Sequence, residues 1–353
     1  MRKLSPKIGL IDQPAARKVH KTPTPLGGGI GILVGTVVPL AAAHLGAWLL
    51  LNHPDWRKLL PEDVATGIDL RGILDRSMQL WWIIAGGIIL SVMGLIDDLR
   101  NLPWKPRLAI QFGVAIGLVF GAKVQATLFA PYPWIGGVLS VFWILVLINS
   151  FNFLDNMDGL SAGIALVAAL LFSVVMLGSS GEPRWLVGGV LLVFAGSLAG
   201  FLVHNWPPAR IFMGDTGSYF IGLMMATTTL LGTYYDASGN PDVKHVILAP
   251  FCILAVPLYD FCSVMLIRLL EGRSPFHADK SHFSHRLVEM GLRPRNAVLT
   301  IHLATLTTGL GALLLYRVAD WSGALLIVAL ICCVLAIVAI LETVRRRNNG
   351  NGK

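Results

Sequence analysis

The chain has 353 residues, of which 55% are hydrophobic and only 14% charged, with a mean hydropathy of +0.68. A soluble domain of this length carries about a quarter charged residues, so a soluble globular protein is excluded. The net charge of +8 raises nucleic acid as a partner, but the distribution of the basic residues described below argues against it.

At roughly 20 apolar residues per bilayer crossing, the hydropathy pattern predicts ten helices: 26–50, 78–96, 108–122, 135–151, 159–178, 185–203, 217–234, 245–267, 297–316 and 322–342. No strand-like alternation stands beside this signal. The expected fold class is an all-α polytopic integral membrane protein in one domain, with a segment 1–25, a transmembrane core 26–342 and a basic tail 343–353. The basic opening "MRKLSPKIGLIDQPAARKVHK" has no apolar stretch directly behind it, so no cleaved signal peptide is expected. The four cysteines (252, 262, 332, 333) fall inside predicted helices at no metal-ligand spacing and read as small packing residues.

With the N-terminus inside and ten alternating helices, the cytoplasmic segments hold 20 of the 28 Lys and Arg. This positive-inside bias sets the expected orientation and makes the lipid bilayer, not nucleic acid, the partner of the charge. The external loop 52–77 carries no recognisable chemistry. Every unusual polar cluster then falls on the cytoplasmic side: 12–29, 94–107, 149–163, 204–218 and 274–287. A transporter places such residues nearer the bilayer midplane. A ring of them on one face suits an enzyme taking a water-soluble substrate from the cytoplasm and a lipid from the membrane.

In chain order, Asp97 and Asp98 end the second predicted helix, where carboxylates oppose the helix macrodipole. A divalent cation, or a phosphate proton to be abstracted, would give that placement a reason. Lys105 and Arg107 follow, suited either to phosphate oxygens or to anchoring the topology. In "NSFNFLDNMDG", Asn149, Asn152, Asp155 and Asp158 recur at three-residue spacing and form one polar stripe if the helix continues. That stripe reads as interhelical hydrogen bonding or as donors for a hard cation and a nucleotide. In "FMGDTGS", Asp215 is an N-cap or a metal ligand at a helix start, between glycines that permit close phosphate approach, and Phe212 offers a stacking face. "HADKSHFSHRL" gathers His277, Asp279, Lys280, His282, His285 and Arg286; without cysteines nearby it fits pyrophosphate better than zinc.

The pieces "RKVHKTPTPLGG", "GLIDD", "NFLDNMDGLSAG", "FMGDTGS" and "DKSHFSHRL", in this order from residue 8 to about 300, resemble the polyprenyl-phosphate N-acetylhexosamine-1-phosphate transferase superfamily. They are most similar to its bacterial branch, which moves N-acetylglucosamine 1-phosphate from a UDP-sugar onto undecaprenyl phosphate and releases UMP. The resemblance implies catalytic roles for Asp97, Asp98, Asp155 and Asp158, with Asp97 and Asp98 tied to deprotonating the lipid phosphate and Asp158 to reading uracil. It implies Mg²⁺, with Mn²⁺ as an alternative, at Asp215 and Asn152. Substrate binding would fall to Lys21, Lys105, Arg107, Asn149, Phe212, Asp279, His282, His285 and Arg286.

The expected partners are UDP-N-acetylhexosamine, undecaprenyl phosphate and the lipid bilayer of a bacterial inner membrane; a homodimer is left open. Two departures stand out. Ser284 occupies the place of a histidine in the family's His-x-His-His-Arg, and relatives often carry one more helix before the "RKVH" segment. The rival readings are a transferase using UDP-MurNAc-pentapeptide and a secondary transporter. The transporter draws on Asp260, an aspartate inside the eighth predicted helix.

Overall fold

A computed structural model describes residues 2–13, 23–59, 70–126, 132–178, 184–232, 241–274 and 281–350. Lys21, His277, Asp279 and Lys280 lie outside the described residues. The protein is all-α and polytopic. Its helices are α1 (Gly28–Asn52), α2 (Leu70–Arg100), α3 (Trp104–Ile116, prolonged by a π-helical turn Gly117–Gly121), α4 (Pro133–Leu154), α5 (Leu160–Gly178) and α6 (Trp185–Asn205). They continue with α7 (Gly214–Gly232), α8 (Ala249–Ile253), α9 (Ala255–Leu270), α10 (Phe283–Glu289), α11 (Pro294–Leu315) and α12 (Trp321–Gly350). A two-stranded antiparallel ladder, β1 (Ile11–Asp12) and β2 (Thr24–Pro25), was not expected; two residues per strand are too few to register as alternation.

Among the described residues, seven helices are long and apolar enough to cross a membrane, and an eighth span forms if the bent pair His245–Ile253 and Ala255–Leu270 counts as one. The expected count of ten is therefore not reached on length and composition. Two of the predicted helices account for the difference. α3 has 13 residues, about 20 Å at 1.5 Å per residue against a hydrocarbon core of about 30 Å. α7 is long enough, at 19 residues, but it opens "GDTGS" and carries three consecutive threonines. The predicted helix 245–267 is instead bent by 69°. Pro257 has no N–H to give the Ile253 carbonyl, so the helix cannot run straight through.

α7 is the centre of the molecule. Seventeen of its 19 residues are buried, so it meets protein on every side and not lipid. Its threonines close on their own helix: Thr227, Thr228 and Thr229 donate to the carbonyls of Leu223, Met224 and Met225 at 2.8, 2.6 and 2.7 Å. Around its first turn the neighbours approach backbone to backbone. A Cβ on Gly29 of α1 would sit 2.3 Å from the Gly217 nitrogen, and one on Gly94 of α2 would sit 2.5 Å from the Asp215 carbonyl. Only glycine permits both contacts, and together they fix where the α7 N-terminus lies.

Candidate active site

The α7 N-terminus is the point on which the motifs converge. The Asp98 carboxylate at the end of α2 accepts the Asp215 N–H at 2.9 Å on Oδ1, and the Thr216 hydroxyl and N–H at 2.9 and 3.3 Å on Oδ2. It opposes the dipole of its own helix, but it caps the orphan amides of another, where negative charge is favoured. Its neighbour Asp97 is buried and turns elsewhere. Asp97 accepts the Leu102 N–H at 2.6 Å and pairs with Arg107 Nη1 at 2.7 Å.

Arg107 also lies 3.7 Å from Asp215 Oδ2, and the Tyr219 hydroxyl is 3.4 Å from both Asp97 Oδ2 and Asp215 Oδ2. Asp215 Oδ1 accepts Asn152 Nδ2 at 2.8 Å, and the same amide reaches the Ser218 hydroxyl at 3.0 Å. Asp97 and Asp215 are thus brought to one guanidinium, and Asp98 and Asn152 join them through the first turn of α7, the four coming from α2, α4 and α7. Tyr219, Thr216 and Ser218 join them. They lie within the first turns of a segment that reads as an apolar span, so their place here depended on knowing which helix is central.

The four-residue stripe does not form. α4 ends at Leu154, and Gly159 takes a φ of 72° in the turn that follows. Asn149 donates to Gln111 Oε1 on α3 at 2.8 Å, tying two helices together. Asp158 accepts the Ala209 N–H at 2.9 Å and so anchors the segment leading into α7. Phe212 in that segment exchanges backbone hydrogen bonds with Pro25 and Gly28 at 2.9 Å each, which places the N-terminal ladder beside the site.

Asp155 lies just beyond the end of α4. Burial first, then the charges of Asp98, Asp158 and Asp12, push its carboxyl up to about 8. The native state therefore keeps a proton on Asp155 through a range, from about 4 to 8, in which the unfolded chain has released it. Stability contributed by this group falls as pH rises through that window. In a chelating buffer, the melting temperature of Asp155→Asn should gain on wild type between about pH 6 and 8.5. Parallel melting curves across that range would contradict it.

The basic segment meets the same end of the bundle through α9. His282 Nδ1 lies 3.0 Å from Asp260 Oδ2, and Asp260 Oδ1 accepts the Phe283 N–H at 2.6 Å. Arg286 donates to the Ser263 hydroxyl at 2.8 Å, and the His285 ring centroid is 6.4 Å from that of His282. Ser284 is buried and donates to Asn156 Oδ1 at 2.6 Å, so at this position the hydroxyl stitches the segment to the turn after α4. Lys105, by contrast, is exposed and lies over the Trp104 ring, 5.8 Å from its centroid.

Among the described residues, no three acidic, histidine or cysteine side chains already converge as a metal-ligand set. The donor chemistry still suits a hard cation: Asp215 is 31% exposed and surrounded by oxygen-bearing side chains. Asn152 presents its amide nitrogen to Asp215, and the reversed amide would present oxygen there beside a cation.

The model of glycosyl transferase family 4 matches residues 80–233. The probable undecaprenyl-phosphate N-acetylglucosaminyl 1-phosphate transferase of Bacillus subtilis (strain 168) is 31% identical over 338 residues, covering 94% of this chain and 84% of that protein. The decaprenyl-phosphate N-acetylglucosaminephosphotransferase of Mycobacterium tuberculosis (strain H37Rv) is 34% identical over 324 residues, 86% of this chain and 75% of that one. The undecaprenyl-phosphate alpha-N-acetylglucosaminyl 1-phosphate transferase of Escherichia coli (strain K12) is 28% identical over 339 residues, 91% of this chain and 81% of that one. Identity at this level along nearly the whole chain, together with the motifs gathered at α7, shows that the protein belongs to glycosyl transferase family 4, the polyprenyl-phosphate N-acetylhexosamine-1-phosphate transferases.

Proposed function

We propose that this protein transfers N-acetylglucosamine 1-phosphate from UDP-N-acetylglucosamine to undecaprenyl phosphate, at the cytoplasmic face of a bacterial inner membrane. A lipid phosphate oxygen bonds to the β-phosphorus of the nucleotide sugar. The bond from that phosphorus to the bridging oxygen breaks, and UMP leaves with the electron pair. One anhydride replaces another, so the step is nearly balanced. The observation that carries the reading is the meeting of Asp97, Arg107, Asn152 and Asp215 at the α7 N-terminus. The names of the relatives supply the substrate class.

Both reactants are anions, so part of the barrier is their repulsion. Arg107 offsets charge near Asp97 and Asp215, and His282, His285 and Arg286 on a neighbouring segment would receive pyrophosphate oxygens. Asp215 and Asn152 would hold Mg²⁺, which neutralises the pyrophosphate and stabilises charge moving onto UMP. Asp98 commits both carboxylate oxygens to α7 amides and the Thr216 hydroxyl. It sets the position of Asp215. The transporter alternative loses its support, since His282 and the Phe283 amide account for Asp260.

Purified protein given Mg²⁺, undecaprenyl phosphate and a panel of UDP-sugars should release UMP fastest with UDP-N-acetylglucosamine. No UMP with any donor would reject the transferase reading.

Orientation needs reporters that reagents can reach. Ser77 and Ser284 are both buried, whereas Lys58 and Lys105 are exposed. In a background without the four native cysteines, Lys58→Cys should react with an impermeant maleimide added to intact cells. Lys105→Cys should react only after permeabilisation. The reverse pattern would turn the acidic cluster away from the cytoplasmic UDP-sugar pool.

A further inference from the structure

Asp260 is a fully buried carboxylate on α9, and the transfer chemistry described above does not use it. Burying an ionised carboxylate costs several kcal/mol unless it is paired and hydrogen-bonded, so its partners are informative. Both of its oxygens face the start of the basic segment: Oδ2 lies 3.0 Å from His282 Nδ1, and Oδ1 accepts the Phe283 N–H at 2.6 Å. His282 is the N-cap residue of α10 and makes no side-chain cap of its own. Asp260 therefore supplies, from another helix, both the cap of α10 and the partner of the imidazole.

A carboxylate only accepts, so the contact requires Nδ1 to carry the proton. The tautomer follows, and Nε2 is left as the ring nitrogen free to meet a ligand. The ring is held in plane from a second side. The Phe153 ring meets it edge-on, 5.8 Å between centroids at 79°, and Phe153 is itself covered by the Arg268 guanidinium, 5.0 Å from its centroid. His285 lies beside it, and Arg286 is tied to the Ser263 hydroxyl, which donates to the Asp260 carbonyl at 3.1 Å. The Asp260 carboxylate thus holds His282 and the start of α10, and its backbone carbonyl meets the Ser263 hydroxyl that Arg286 contacts.

We propose that Asp260 is a positioning residue for donor binding. It fixes the His282 ring with Nδ1 protonated, so that Nε2 contacts the pyrophosphate of the nucleotide sugar. This rests on the transferase reading for the identity of the ligand, but the pairing itself can be tested without turnover. In protein labelled with ¹⁵N-histidine, with the His282 signals identified by their loss in His282→Ala, the ring-nitrogen shifts report which nitrogen holds the proton. Wild type should show a hydrogen-bonded Nδ1–H, and Asp260→Asn should shift that signal. A neutral ring with its proton on Nε2 and Nδ1 bare would overturn the proposal, and this measurement needs only the wild-type protein to fold.

In turnover, Asp260→Asn should lower kcat/KM for the UDP-sugar on the order of ten- to a hundredfold, as for other groups that orient a functional histidine. The KM for undecaprenyl phosphate should stay at its wild-type value. Asp260→Asn combined with His282→Ala should be no slower than His282→Ala alone, because the two residues act as one unit. Wild-type kinetics in Asp260→Asn, multiplied losses in the double variant, or an equal rise in both KM values would each reject the positioning role. Absence of UMP from wild type would reject the transferase reading instead, and would leave the ring-nitrogen result standing.

Discussion

Replacing Asp215 with Asn should lower UMP release by about a hundred- to a thousandfold, the loss typical of removing one group that stabilises transition-state charge. Folded yield and melting temperature should stay close to wild type. Asparagine keeps the shape of the side chain and an oxygen for the Asn152 amide, which lies 2.8 Å from Oδ1. The helix start does not rely on the Asp215 side chain either, since Asp98 caps the first-turn amides from outside. What the variant loses is negative charge at the one carboxylate of the cluster that is part-exposed and not already paired at close range. Asp97 is committed to Arg107 at 2.7 Å, whereas Arg107 is 3.7 Å from Asp215. Wild-type activity should also vanish in EDTA and return with Mg²⁺ or Mn²⁺. Full turnover of Asp215→Asn, or of wild type in EDTA, would end the metal assignment while leaving the family untouched.

The membrane architecture was legible in the sequence because apolar length is a local property, and nearly every predicted helix has a counterpart. The exceptions have physical causes. α7 lies in a run whose length predicts a span, yet its polar first turn and threonines keep it from qualifying as one, and being buried all round is a property of its neighbours and not of its own residues. The bend before α9 follows from Pro257, but a hydropathy window averages over a single missing N–H. The site was legible as motifs and not as geometry. Asp98 at the end of α2 looked unfavourably placed because its compensation, the amides of Asp215 and Thr216, is supplied more than a hundred residues later. Asp260 read as a lone intramembrane charge for the same reason: His282 arrives from another segment. The even spacing of Asn149, Asn152, Asp155 and Asp158 misled in the opposite direction. Periodicity implies a shared face only while the helix continues, and α4 stops at Leu154.

The Asp97–Arg107 pair separates stability from catalysis. Arg107→Ala should destabilise the protein by about 3–5 kcal/mol, the usual consequence of leaving one member of a buried ion pair alone. The Asp97 side chain is 5% exposed and the Arg107 side chain 28%, so the arginine stays at the edge of the cluster while the carboxylate is sealed in. Without the guanidinium, Asp97 keeps only the Leu102 N–H at 2.6 Å and the distant Tyr219 hydroxyl at 3.4 Å. Asp97→Asn removes the charge that Arg107 balances, and the guanidinium still has Asp215 nearby, so its cost in stability should be smaller. The double variant Asp97→Asn/Arg107→Gln should recover most of the stability lost in Arg107→Ala, since Asp97 no longer leaves a buried charge unpaired. Its UMP release should remain at the level of the slower single variant, because neither the carboxylate nor the cation is restored. Denaturant or thermal unfolding in detergent, set beside initial rates, reads both quantities on the same preparations. If the double variant regained activity along with stability, the pair would serve only to hold α2 against α3, and the charge offset near the phosphates would have to come from the α10 segment.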